Sequence, residues 1–352
     1  MKTRALKNYD STVGCEVYDI DLHSNEEIIE LGRMVADQCI VYVDQAISTE
    51  RLYDIMNQWG DDSRALIHNY VLSKRLTGRH WRDITLQLGY MNKGLGRMAG
   101  AVSRVSYQRD DRNNPIGIFP QGELDWHADQ ISIDDSQRVI GLLSVSGSAN
   151  SQTQFLCTHD AFESFSSDMK STIKELVARH KWRTGQDGFC PGMDEKQLRA
   201  LRYNSLPLDG METQLYAETV TGRPGIKLPH HSFDGFVGMS RDESQRLIKE
   251  IESAIYKQER VYTQDWTDGQ VVFMDQQITL HKRPTNLAQG HKRVMSRVIT
   301  YMNHLFDHVE LNQHVQHNGQ KLTHDQFAQL VDQQQRKTFE ADQLETAANA
   351  VV

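Results

Sequence analysis

A mainly β fold with flanking helices is what this sequence predicts, and three observations carry the prediction. Short β-branched runs recur at Cys39 to Asp44, Val139 to Ser146, Gln270 to Asp275 and Arg297 to Asn303. Between them lie segments whose apolar residues follow helical spacing behind a capping residue. Strands dominate the middle and end of the chain, so the helices belong on the outside of sheets.

The elements follow in order. Gly14 to Leu22 alternates partly like a strand, and Ser24 to Asp37 reads as a capped amphipathic helix. After the Cys39 to Asp44 strand, Ser48 and Thr49 cap a second helix. Its Leu52, Ile55, Met56 and Trp59 share one face, and Gly60 stops it. Residues 61 to 122 are irregular and rich in Arg, Gly, Asn and Asp, the composition of a binding loop or lid, or else of a disordered segment. Met169, Ile173, Leu176 and Val177 predict a helix over Ser167 to His180. Ser240-Arg241-Asp242-Glu243 has the capping-box form, followed by the stripe Leu247, Ile248, Ile251 and Ile255. From about Phe306 the chain is Gln- and His-rich, and Thr323 to Gln326 can cap a helix carrying Phe327, Leu330 and Val331. This divides the chain into a domain over 1–305 and an extension over 306–352. Exposed apolar residues on the last helix would mark a contact within a homo-oligomer.

Composition excludes several function classes. The 352 residues are 38% hydrophobic, enough for one large core or two modest ones. Lys and Arg number 39 against 47 Asp and Glu, a formal charge of −8 without long runs of one sign, which argues against nucleic acid or an anionic membrane as partner. No apolar stretch suits a signal peptide or a membrane span, so a cytoplasmic location is expected. Cys15, Cys39, Cys157 and Cys190 have no CxxC spacing and read as free thiols.

The strongest local feature is Asp125-Trp126-His127-Ala128-Asp129. On a strand, positions i and i+2 face the same way, so His127 and Asp129 converge on one point. They could supply two ligands of the 2-His-1-carboxylate facial triad of non-haem iron. Alone the pair is weak, because 15 histidines make about one such spacing expected by chance. It gains force downstream, where His281 follows the apolar strand ending at Asp275, and Arg293 and Arg297 follow His281 by twelve and sixteen residues. On a strand the two arginines would share a face, and guanidiniums beside a metal need anions to pair with. Arg297 could equally pair with a buried acid. Rival features are weaker: His308 and Glu310 have metal-like spacing without downstream partners, and the adjacent His230 and His231 would point oppositely on a strand. Trp81, Tyr90 and Tyr107 in the irregular segment suit a pocket wall or plain packing.

Taken together, these features resemble the taurine dioxygenase family of iron(II)- and 2-oxoglutarate-dependent oxygenases. The likeness runs over most of residues 10 to 303, through Trp126 to Asp129, Gln152 to Phe155 with Ala161-Phe162 opening a helix, Asp275 to His281, and the stretch from Arg293. It implies a distorted double-stranded β-helix, or jelly roll, whose facing sheets enclose metal and ligands. It further implies that His127, Asp129 and His281 bind Fe(II), that Thr153 and Arg293 hold the distal carboxylate of 2-oxoglutarate, and that Arg297 meets an anionic group of the substrate. The sequence departs from the family where Gly-Gly-Asp-Thr is usual and Asn150-Ser151-Gln152-Thr153 stands instead.

The implied activity is oxidation of a small polar or anionic metabolite, such as a free amino acid or sulfonate, by O2, with 2-oxoglutarate leaving as succinate and CO2. Hydroxylation is the default. Desaturation or cyclisation are alternatives, as is a non-catalytic jelly-roll sensor or interaction protein that keeps metal and 2-oxoglutarate. Asp at 129, rather than Ala or Gly, disfavours halogenation.

Overall fold

The computed structural model describes residues 1–63, 92–106, 108–111, 116–117, 124–129, 137–181, 210–229, 232–284, 292–311 and 314–349. In chain order its strands are β1 (Lys2–Ala5), β2 (Cys15–Tyr18), β3 (Ile40–Val43), β4 (Val102–Ser106), β5 (Leu124–His127), β6 (Arg138–Ser146), β7 (Gln152–Cys157), β8 (Val177–His180) and β9 (Glu212–Gln214). They continue with β10 (Tyr216–Glu218), β11 (Pro224–Ile226), β12 (Phe233–Phe236), β13 (Tyr262–Asp265), β14 (Val271–Asp275), β15 (Thr279–Arg283), β16 (Val294–Tyr301), β17 (His314–His317) and β18 (Gln320–Thr323). The α-helices are α1 (Asn25–Gln38), α2 (Thr49–Trp59), α3 (His159–Glu163), α4 (Ser167–Glu175), α5 (Arg241–Ile255) and α6 (His324–Asn349).

Two sheets dominate. The major one has the order β1-β2-β3-β14-β6-β16-β4 and the minor one β13-β7-β15-β5. Side-chain alternation along the strands builds the layers on either side of each. On β14, Val271 and Phe273 join α1 and α2 in one apolar cluster, whereas Val272 and Met274 join the minor sheet's Phe155, Cys157 and Tyr262 in another. Leu156 and Leu280, facing out of the minor sheet, pack with Ile248, Ile251 and Ile255 of α5 in a third. Strands buried on both faces read as the continuous apolar runs of the sequence. Here helices cover the outside and the two sheets face each other, as a jelly roll requires.

The outer helices start and stop where their caps place them. Ser24, Ser48 and Ser240 each accept a backbone N–H of the first turn, and Ser240 with Glu243 forms the full capping box. α2 lies against β6 at Gly141, where any Cβ would stand 2.6 Å from Met56 Sδ. Trp59, fully buried, donates from Nε1 to the Ile28 carbonyl at 2.8 Å and meets the Phe273 ring edge-on at 4.9 Å.

Three sequence expectations need correction. The helix expected over Ser167 to His180 ends at Glu175, and Val177–His180 is the central strand of the sheet β12-β8-β9, where cross-strand pairing overrides the apolar spacing. Val102–Ser106, within the segment read as irregular, is the edge strand of the major sheet. Asp129 lies beyond the end of β5, so its approach to His127 comes from the turn after the strand and not from strand alternation.

The 306–352 extension forms the hairpin β17-β18 and α6. It joins the body through a bridge between His317 and Met211, and Phe327 is buried beneath it. Among the described residues no helix is long and apolar enough to cross a membrane.

Candidate active site

Between the two sheets the structure brings together the side chains that the sequence scatters over 170 positions. A cavity is lined from the minor sheet by Leu124, His127, Thr153, His281 and Arg283, from the turn after β5 by Asp129, and from the major sheet and its approach by Val105, Leu142, Arg293, Met295 and Arg297. Alternation explains the set: Thr279, His281 and Arg283 share one face of β15, while Leu280 faces α5. His281 is the cross-strand partner of His127, and the register shift between His281 and Arg283 marks a bulge in β5 that lets Leu124 and His127 both line the cavity.

His127, Asp129 and His281 each offer a ligand atom, all within 4.8 Å of one another, the one such cluster among the described residues. The imidazole centroids are 4.1 Å apart, and His127 Nε2 is 3.7 Å from Asp129 Oδ1. His127 Nδ1 lies 2.6 Å from the Asp125 carbonyl, which can only accept, so that nitrogen carries the proton and Nε2 keeps its lone pair. His281 Nδ1 is buried without a hydrogen-bond partner among the described residues. Two nitrogen donors and one carboxylate on one side of a point fit iron(II) with positions left open.

The electrostatics suit the same ion. Burial alone would raise the Asp129 carboxyl, but Arg297, then His281 and His127, outweigh it and hold the group well below the usual carboxylate range. Burial pushes His281 below its ordinary value, helped by Arg297 and opposed by Asp129, which favours the neutral imidazole that binds metals.

Surrounding groups hold these ligands in place. Arg297 Nη1 donates to Asp129 Oδ2 at 2.6 Å and Nη2 to Ser103 Oγ at 3.3 Å. Gln276 Nε2 donates to the Asp129 carbonyl. Arg293 Nη1 approaches the Gln152 carbonyl at 3.4 Å, and Trp266 Nε1 donates to Thr153 Oγ1 at 2.9 Å. Sequence reasoning missed Gln276, Trp266 and Arg283. A signal existed only for Arg283, two residues past His281 on a strand; the other two contacts arise from chain segments distant in sequence. His308 Nε2 instead donates to the Val220 carbonyl at 3.0 Å, and His308 joins no metal-ligating cluster among the described residues. Trp81, Tyr90, Tyr107, His230, His231 and Cys190 lie outside the described residues, while Cys15, Cys39 and Cys157 are free and buried.

A family model described as taurine catabolism dioxygenase TauD, TfdA family matches residues 22–299. The chain is similar to the (S)-phenoxypropionate/alpha-ketoglutarate-dioxygenase of Sphingobium herbicidovorans, 26% identical over 211 residues that cover 55% of this chain and 69% of that protein. It is also similar to the pentalenolactone F synthase of Streptomyces avermitilis, 23% identical over 205 residues, 56% of this chain and 67% of that protein. Among solved structures, a taurine dioxygenase from Burkholderia xenovorans superposes with a TM-score of 0.58 at 16% identity, covering 85% of this chain and 89% of that one.

Proposed function

Taking as premise that the chain belongs to the taurine catabolism dioxygenase TauD, TfdA family, we propose that His127, Asp129 and His281 hold its iron, Thr153 and Arg293 the distal carboxylate of 2-oxoglutarate, and Arg297 an anionic group of the substrate. The protein is an iron(II)- and 2-oxoglutarate-dependent dioxygenase of small molecules. The observation that carries the residue roles is the convergence of the three ligand atoms within 4.8 Å in a cavity that Thr153, Arg293 and Arg297 also line.

When bound, iron(II) with 2-oxoglutarate and O2 supplies the oxidising power, the cosubstrate leaving as succinate and CO2. The chain's own residues supply position and dryness. The Asp125 carbonyl fixes the His127 ring, and Gln276 fixes the backbone of Asp129. Arg293, buried just before β16, offers a fork of donors suited to a carboxylate, and the Thr153 hydroxyl lines the same cavity. Val105, Leu124, Leu142 and Met295 give the cavity apolar walls that exclude water. An anionic substrate would share the Arg297 guanidinium with Asp129, which orders it next to the metal ligands. The relative from Sphingobium herbicidovorans is named for a carboxylate substrate, in line with an anion here. Hydroxylation of a small anionic metabolite is the reading this supports best.

The test is succinate release from 2-oxoglutarate in air across a panel of small carboxylates, sulfonates and amino acids, with and without iron(II), for the native protein and His127→Ala. Iron-dependent succinate that disappears in the variant supports the assignment, and the compound that most stimulates it leads to the substrate. A His127→Ala protein as active as the native one would remove this triad from consideration.

A further inference from the structure

We propose that Trp266 is a positioning residue that makes the Thr153 hydroxyl an obligate donor toward the distal carboxylate of 2-oxoglutarate. The inference rests on the assignment of Thr153 and Arg293 to that carboxylate.

Trp266 follows β13, which pairs with β7 in the register Gln264↔Thr153 and Asp265↔Gln152. Its backbone N–H donates to the Ser151 carbonyl at 3.0 Å, extending the ladder by one residue. From there the indole turns back along β7, and Nε1 reaches Thr153 Oγ1 at 2.9 Å. Both residues are nearly inaccessible, at 3% and 4% exposure.

The direction of this bond has a chemical consequence. An indole N–H can only donate, whereas a hydroxyl has one proton and two lone pairs. The bond from Trp266 therefore occupies a lone pair of Thr153 and leaves its proton uncommitted. Among the described residues Thr153 Oγ1 makes no other hydrogen bond, and the side chain lines the cavity together with Arg293. The proton is thus aimed at the cavity. A carboxylate there can only accept, and it would receive that proton together with the donors of Arg293. Without the indole, the hydroxyl could rotate and accept from Arg293, spending both groups on each other. Trp266 also holds Thr153 at the end of the stretch Asn150 to Thr153, whose first three residues depart from the family pattern.

The experiment is equilibrium dialysis of labelled 2-oxoglutarate against the full-length, Mn(II)-loaded protein, which binds without turnover. It compares Trp266→Phe, Thr153→Val, Thr153→Ser and the double variant Trp266→Phe/Thr153→Val, with Mn(II) affinity measured in parallel. Because Phe could leave a void that unfolds the protein, position 266 is also replaced by β-(3-benzothienyl)alanine, which keeps the bicyclic shape and lacks only the N–H. Removing the N–H or the hydroxyl should each weaken 2-oxoglutarate binding by roughly 3- to 10-fold, the scale of one hydrogen bond. Mn(II) affinity should not change, Thr153→Ser should bind as the native protein does, and the double variant should be no weaker than Thr153→Val. In turnover, the KM for 2-oxoglutarate should rise with little change in kcat. Native affinity in the benzothienyl protein, or a loss from Trp266→Phe that persists undiminished without the hydroxyl, would overturn the role of Trp266 alone. Native affinity in Thr153→Val would overturn the assignment of Thr153 and the inference with it.

Discussion

Arg297 on β16 and Asp129 beyond β5 stand 168 positions apart and on opposite sides of the cavity, yet Nη1 of one lies 2.6 Å from Oδ2 of the other. Both are largely buried, with side-chain exposures of 14% and 7%. The pair gives the carboxylate a positive neighbour whether or not a cation is bound, and that makes the consequence of breaking it depend on metal.

Arg297→Ala should destabilise the metal-stripped protein by about 3–5 kcal/mol, because a buried carboxylate is left without its counter-charge. The loss should shrink once Mn(II) is added, since the cation then compensates Asp129. Thermal or urea unfolding with and without the ion measures both. An equal loss in the two conditions would show that Arg297 does not serve Asp129.

Gln276 touches no ligand atom but donates to the backbone carbonyl of Asp129 from a site 2% exposed. Gln276→Leu should therefore weaken metal binding by about 10- to 100-fold, the usual effect of losing an outer-shell support. A Mn(II) titration followed by electron paramagnetic resonance reads this directly, while the far-ultraviolet circular dichroism should stay native.

Arg293→Met should raise the KM for 2-oxoglutarate by about 10- to 100-fold, corresponding to a charge-assisted hydrogen bond of about 1.5–3 kcal/mol. At saturating cosubstrate kcat should recover most of its native value. A variant that lost kcat and kept its KM would place Arg293 elsewhere in the reaction.

Asp275 gives a pH signature. Burial raises its carboxyl to about 7, against the pull of the Ile278 and Gln277 backbone N–H groups and of Lys227. A carboxyl raised in the folded state keeps its proton where the unfolded chain has lost it. Stability from this group is therefore complete below its ordinary value near 4 and is lost as pH rises toward about 7. Asp275→Asn keeps an oxygen to accept from Gln277 and Ile278 but cannot ionise. It should flatten the fall in stability between about pH 4 and 7, where one such group contributes up to about 1.4 kcal/mol per pH unit. Urea unfolding at several pH values, at one fixed metal condition, would show the two curves converging at low pH.

Much of the fold was legible because local rules and burial agree along those segments. Ser24, Ser48 and Ser240 cap their helices by contacts within three residues, and the runs Ile40–Val43, 139–143 and 271–274 are apolar on both faces because both faces are covered. Val177–His180 misled because its apolar residues satisfy either period, and only the partners β9 and β12 select a strand. The spacing of His127, Asp129, His281, Arg293 and Arg297 was visible as a pattern along the chain, although strand alternation does not carry it at Asp129, in the turn after β5, or at Arg293, just before β16.

By itself, then, the sequence determined which residue types could hold a metal and a carboxylate, and which apolar runs would form the central strands of the major sheet. Only the tertiary structure decided that Asp129 meets Arg297, that Gln276 meets the backbone of Asp129, and that Trp266 meets Thr153. Those contacts join strands and turns from different sheets or distant segments. Their existence depends on how the sheets face one another and on register at a bulge, quantities that no window of neighbouring residues encodes.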